Sequence, residues 1–213
     1  MGLITEPTRE VRTFKGSRDY WEQRYKQGGN SGAGSYNRLA EFKAEFLNSF
    51  VEEHRIASVI EFGCGDGAQL KLAEYPRYTG TDISTTALEK CRKLFLSDFS
   101  KRFLSLESLV EQNHSADLSL SLDVIYHLVE DSVFDAYMRG LFSFAWRFVI
   151  IYSSNMERNW LDKHVRHREF TRWVENNRPE WRVFSVIKNP YPFDPSNQEQ
   201  TSFADFYIFA RRE

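Results

Sequence analysis

Residues 58–72 read S-V-I-E-F-G-C-G-D-G-A-Q-L-K-L. A short apolar run, Val59, Ile60 and Phe62, enters a loop with glycine at every second position: Gly63, Gly65 and Gly67. The pattern predicts a strand, a tight loop and a helix starting near Ala68. Glycine has no Cβ and accepts positive φ, so the backbone N–H groups of such a loop approach a ligand closely. A helix start adds further unpaired N–H donors.

Working outward, the spacing separates ligand classes. A dinucleotide loop reads G-x-G-x-x-G, its third glycine packing the helix beneath a diphosphate. Here the third glycine comes one residue early, at Gly67, and Ala68 takes the dinucleotide position. Asp66 places an anion in the same mouth, where a diphosphate is repelled. Asp82 follows nineteen residues after Gly63, at the end of the strand-like run 78–82. A carboxylate there accepts hydrogen bonds from both hydroxyls of a ribose. The set fits a ligand with an adenosine-like ribose and a zwitterionic tail in place of phosphates.

Three motifs, E-F-G-C-G-D-G (61–67), T-G-T-D-I-S (79–84) and S-L-D-V-I-Y-H-L (121–128), occur in this order. Together they resemble the class I S-adenosylmethionine-dependent methyltransferase family. The resemblance implies a three-layer α/β, Rossmann-like fold. Its mostly parallel seven-stranded sheet would end in a C-terminal antiparallel β-hairpin. It implies S-adenosylmethionine as cofactor and S-adenosylhomocysteine as product. It implies cofactor contacts from Gly63, Cys64, Gly65, Gly67, Asp82 and Ile83, with Glu61 and Asp66 supporting the loop and the methionine moiety. Leu122, Asp123 and Val124 would line the methyl end, and Glu107 and Ser108 would lie near the adenine. The Y-W-E-x-R-Y pattern at 20–25, with Tyr20 and Trp21, resembles the aromatic N-terminal helix that covers the cofactor in several small methyltransferases.

Composition bounds the rest. The 213 residues make one domain of comfortable size, 41% apolar and 15% aromatic, enough for a packed core. A net charge of −2 gives no bulk attraction to nucleic acid or anionic membrane. No apolar run approaches the roughly 18 residues of a membrane span. Residues 1–16 are polar and lack the apolar stretch of a secretory signal. Cys64 and Cys91 do not make a disulfide framework, so a reduced cytoplasmic setting is expected.

The expected organisation is an N-terminal arm with an aromatic helix and glycine-rich lid over 1–37, then a methyltransferase domain over 38–213. Ser17 is a candidate N-cap for the first helix. The loop 27–37 is glycine-rich, and Arg38 just after it is placed to pair with the cofactor's carboxylate. Leu39, Phe42, Phe46, Phe50 and Val51 form the core stripe of the next helix. Strands are expected at 103–106, 116–122 and 147–152, and a final antiparallel pair at 181–187 and 203–210.

Methyl transfer from a sulfonium is an in-line displacement, so the protein mainly aligns donor and acceptor. An acceptor hydroxyl also needs a base, and His127, His164 and His167 are the candidates. The basic segment 159–177 reads as a helix. His164, His167, Arg168, Thr171 and Arg172 would share one face by i, i+3, i+4 spacing. Tyr126 with Arg166, Arg168 and Arg172 then suggests a small anionic or sugar-like acceptor, against a solvated face packed through Leu161, Val165 and Trp173. A histidine pair without a third ligand argues against structural zinc. No RNA-binding module is visible. Rival readings are an RNA or protein methyltransferase and a non-catalytic S-adenosylmethionine-binding subunit. An NAD-binding domain is disfavoured by the glycine spacing, and the oligomeric state stays open.

Overall fold

The apolar run at 59–62 forms the central strand of the molecule, and helices cover it on both faces. The computed structural model describes residues 14–112, 114–159 and 162–212. In chain order the elements are α1 Ser17–Lys26, α2 Asn37–Glu53, β1 Val59–Phe62, β2 Tyr78–Thr81, α3 Thr85–Leu94, β3 Lys101–Leu104, α4 Leu106–Glu111 and β4 Ala116–Leu122. Then follow α5 Asp131–Ser143, β5 Ala145–Ser153, β6 Arg158–Asn159, β7 Arg166–His167, α6 Phe170–Asn177, β8 Trp181–Ile187 and β9 Asp205–Arg211. Short 3-10 turns occupy Ala33–Ser35, Gln69–Leu72 and Ile125–His127.

The main sheet has the order β3-β2-β1-β4-β5-β9-β8. The first five of these strands run parallel and β9 is antiparallel to both β5 and β8. The expected α/β Rossmann-like sheet with a closing antiparallel pair is therefore present. The chain reverses its direction of winding between β1 and β4, and a ligand crevice opens beyond the carboxyl ends of strands at such a point.

Alternation along β1 decides the two cores. Val59 faces the layer of Leu47, Phe50, Val51 and Leu88, whereas Ile60 and Phe62 face that of Met138, Leu141, Phe142 and Phe170. Both faces of β1 and β4 are buried, which suits strands covered by helices on either side. Glu61 lies between them on the α2 side, its Oε2 accepting from the Tyr78 hydroxyl at 2.6 Å.

Several sequence expectations shift. The segment after the glycine loop is a 3-10 turn of four residues, so it is too short to present a helix dipole of any length. Ser17 is the first helical residue and Gly16 the cap. The Ser17 hydroxyl instead lies 2.6 Å from Glu130 Oε2 and 2.8 Å from the His127 carbonyl, anchoring α1 to the end of β4.

The basic stretch 159–177 is not one helix. β6 and β7 form a small hairpin, and α6 begins only at Phe170. Arg166 and Arg168 both pair with Asp131, and both donate to the Val129 carbonyl, with Arg168 also reaching Leu128. These long-range bonds hold the chain extended where local periodicity suggests a helix. The expectations for residues 1–13 and for Leu161 lie outside the described residues. Among the described residues, no helix is long and apolar enough to cross a membrane.

Candidate functional site

The loop after β1 turns sharply, because Gly63 and Gly65 adopt φ of 81° and 57°. The Gly63 and Cys64 N–H groups both donate to the Thr81 carbonyl, tying the loop to the end of β2. A Cβ on Gly63 would meet Val124 at 2.5 Å, and one on Gly65 would meet Ser31 Oγ at 2.2 Å. Glycine is therefore required at both places by conformation and by space. Gly67 packs elsewhere: a Cβ there would meet Phe95 and Cys91 of the α3 side.

Asp82 stands beside the loop. Its Oδ2 accepts from the Gly65 N–H at 2.9 Å and its Oδ1 from the Ser84 N–H at 2.8 Å. Burial pushes its carboxyl up to about 6, against the lowering effect of these N–H bonds. Glu61, buried deeper, is pushed up to about 7 by burial, with its Tyr78 bond opposing.

A cleft opens above these groups. Its walls include Trp21, Glu61, Gly63, Cys64, Gly65, Asp82, Ile83, Leu122, Asp123, Val124 and His127, all read from the sequence. Tyr25, Ser31, Lys43, Gln69, Thr81, Leu106 and Tyr137 join them without having been singled out. Gln69 Oε1 and Thr81 Oγ1 are buried in this wall without a hydrogen-bond partner among the described residues. Such orphaned polar atoms are rare in folded proteins and suit a polar ligand.

The roof is α1 and the glycine-rich loop. Glu22 accepts from the Ser84 and Thr86 hydroxyls at 2.6 and 2.8 Å. Burial opposes ionisation of Glu22, but these bonds and Lys26 hold its carboxyl down at about 2. Asp66 accepts from the Ser31 N–H and hydroxyl and from the Tyr36 hydroxyl, all within 3.0 Å. Asp66 thus fastens the roof and does not line the cleft.

The far wall is the end of β4. Asp123 has φ 58°, and its Oδ2 accepts from Lys43 Nζ at 2.6 Å while its Oδ1 accepts from the Tyr126 hydroxyl at 2.9 Å. His127 Nδ1 lies 3.1 Å from the His164 carbonyl, which fixes the proton on Nδ1 and leaves Nε2 as the acceptor. Burial pushes His127 down to about 4. His164 stacks on His127 at 5.5 Å and on Tyr20 at 4.4 Å, and Trp21 meets His127 edge-on at 4.9 Å. Tyr20 thus reaches the site through His164. His167 is buried behind Tyr126, with Nδ1 2.6 Å from Ser154 Oγ and its ring edge-on to Phe203. Burial lowers both His164 and His167. Among the described residues, no group of three His, Cys, Asp or Glu side chains is placed to hold a metal ion.

Other candidates stand apart. Arg38 Nε donates to the Gln200 carbonyl at 2.6 Å and its guanidinium lies 4.2 Å over Tyr191, so it turns away from the cleft. Glu107 is exposed, 4.0 Å from Arg18, and Ser108 N–H donates to its cap residue Ser105. It is their neighbour Leu106 that reaches the cleft. Arg166, Arg168 and Arg172 line a separate groove with Asp131, Asp135 and Glu157. Lys43 is a charge within the buried stripe of α2 among Leu39, Ala40, Ala44 and Leu47, a signal that appears only once the helix face is known.

Residues 60–141 match the methyltransferase domain family. Over those residues the chain carries a methyltransferase domain, consistent with the class I S-adenosylmethionine-dependent methyltransferase family. The chain is 25% identical over 181 residues to the small RNA 2′-O-methyltransferase of Arabidopsis thaliana. That match covers 78% of this chain and 19% of the relative, so the chain spans about a fifth of the relative's length.

Among solved structures, the N-methyltransferase NodS from Bradyrhizobium japonicum WM9, in complex with S-adenosylhomocysteine, superimposes with a TM-score of 0.71 at 15% identity, covering 93% of this chain and 100% of that one. The methyltransferase domain of bacterial CtHen1-C gives a TM-score of 0.62 at 19% identity, over 80% of this chain and 97% of that one. At such identities these likenesses speak for the fold.

Proposed function

We propose that this methyltransferase modifies a hydroxyl or amine on a small acceptor with a planar ring, held at the mouth between α1 and the β4 end. The observation that carries this is a closed circuit of neutral rings, Trp21–Tyr20–His164–His127, each 4.4–5.5 Å from the next, whose Trp21 and His127 members line the cleft. Such a circuit takes a flat ring by stacking. An anionic acceptor loses its support, because Arg166 and Arg168 are engaged by Asp131 outside the cleft.

The cleft residues suit the cofactor in kind. Asp82 supplies a carboxylate for ribose hydroxyls, Ile83, Leu106 and Trp21 supply apolar walls for a base, and Gln69 and Thr81 supply unpaired polar atoms. The bound cofactor brings an activated methyl group. The chain's own work is alignment and exclusion of water: the roof over 17–36 closes the cleft, and Val124 and His127 border the methyl end. His127 Nε2 is an acceptor for the nucleophile's proton, and its low basicity makes it an orienting group more than a strong base. We further assign residues 1–37 as arm and lid and 38–213 as the cofactor-binding domain.

A second reading is methylation of an RNA end, favoured by the likeness to the small RNA 2′-O-methyltransferase. A terminal nucleoside also carries a planar ring. The test is transfer of labelled methyl from S-adenosylmethionine to a panel of aromatic alcohols and amines, sugar nucleotides and short RNAs. Labelling of the small aromatics supports the first reading. Labelling of RNA alone replaces it with the second, and labelling only of sugar nucleotides or phosphates restores the anionic acceptor.

A further inference from the structure

We propose that Lys43 and Asp123 form the receptor for the zwitterionic methionine end of the cofactor, as a charge pair that opens to admit it. The inference rests on the cofactor reading above and names the two residues that take the cofactor's charged tail. Lys43 is fully buried, and its ammonium is paired to Asp123 Oδ2 at 2.6 Å. A buried ammonium is tolerated only with such a counter-charge. Helix α2 gains nothing from lysine at an apolar position, where leucine or methionine would pack without desolvation. The pair lies in the cleft wall itself, not behind it.

Among the described residues Lys43 is also the one Lys or Arg in that wall. Neighbouring cations are turned to the roof: Arg24 donates to the Asn30 carbonyl and Lys90 to that of Gly29. Asp123 is the unusual partner. It holds a left-handed backbone, φ 58°, uncommon outside glycine but open to aspartate. The turn Ala33–Ser35 presses on it so closely that a Cβ on Gly34 would sit 2.5 Å from its Oδ2. The carboxylate is thus held at the end of β4 by Lys43 and Tyr126 and covered by the roof.

An α-amino acid carries one cation and one anion on adjacent carbons. Lys43 and Asp123 present the complementary two charges side by side. When the pair parts, Lys43 keeps an anionic partner in the cofactor's α-carboxylate and Asp123 keeps a cationic one in its α-ammonium. Neither buried charge is left alone, and the exchange leaves net charge unchanged.

The test compares S-adenosylhomocysteine with 5′-methylthioadenosine, which shares the nucleoside but lacks the amino-acid end. Both are titrated calorimetrically into wild type, K43M, D123N and the double variant K43M/D123N. The double variant leaves no unpaired buried charge, so it stays informative if a single variant fails to fold. K43M and the double variant should bind S-adenosylhomocysteine roughly tenfold to a hundredfold more weakly, with 5′-methylthioadenosine affinity unchanged. D123N should show the same selective loss. An unchanged ratio of the two affinities in the folded double variant overturns the proposal. Wild type binding neither compound overturns the cofactor reading itself, whereas wild type binding both with no selective loss overturns only this pair.

Discussion

At neutral pH the His127 ring carries no charge, because burial pushes its pKa down to about 4 from 6.5. The neutral ring's contribution to stability is fully present above the unfolded value. It is lost as pH falls through the window from about 6.5 to about 4. We expect the unfolding free energy of wild type, relative to H127Q, to drop by about 2 kcal/mol between pH 7 and pH 5 in urea titrations. Equal pH dependence of the two proteins would show that the ring is not desolvated.

Asp82 has the opposite sense, its carboxyl raised by burial to about 6. Folding therefore favours its protonated form, and ribose recognition needs the ionised one. S-adenosylhomocysteine affinity should weaken as pH falls through about 6, and D82N should remove that dependence. D82A should weaken binding by about 1–3 kcal/mol. Gly63, Gly65 and Asp82 were legible because their spacing encodes a backbone conformation and a strand end. Lys43 was not, because an isolated lysine reads as solvated until its helix face is known. Arg38 misled for the complementary reason: nearness in sequence to the loop says nothing of the Tyr191 ring on which it lies.

The elements show the same division. β4 runs from Ala116 to Leu122 as its apolar pattern predicts, and Ser84 caps α3 by accepting from the Ala87 N–H. Local signals suffice there. They fail between Arg158 and Glu169, where pairing with Asp131 and the carbonyls after β4 overrides helical periodicity. The roof over the cleft is an element whose contacts were likewise invisible, since Ser31 and Asp66 lie thirty-five residues apart. Two glycine variants separate its role from that of the backbone. G65A places a methyl 2.2 Å from Ser31 Oγ and should speed amide exchange over 28–36 and weaken S-adenosylhomocysteine binding. G28A, with φ 83° but open space around it, should lower stability by about 1 kcal/mol and leave that affinity intact. If both behave alike, the roof does not bear on the ligand.

For the whole molecule, one sheet carries the site: the glycine loop after β1, Asp82 after β2 and Asp123 after β4 meet because those strands are neighbours. The roof crosses all three. A ligand that bridges them binds the folded state alone and stabilises it by mass action, by about 2.7 kcal/mol at a hundredfold excess over Kd. Thermal scans should therefore show a midpoint raised by roughly 5–10 °C with S-adenosylhomocysteine and unchanged with NAD. The parallel order and the closing antiparallel pair were legible from strand spacing together with the three motifs. The cluster of Tyr20, Trp21, His127 and His164, on which the proposed acceptor rests, was not, because only the fold brings these rings together.

The most direct test of the account is calorimetric titration of the 213-residue chain with S-adenosylhomocysteine and NAD in parallel. One-site binding of S-adenosylhomocysteine, abolished or strongly weakened by D82A, with no heat from NAD, is the predicted result. Binding of NAD, or S-adenosylhomocysteine affinity indifferent to Asp82, would contradict the reading of the glycine loop and the cleft above it.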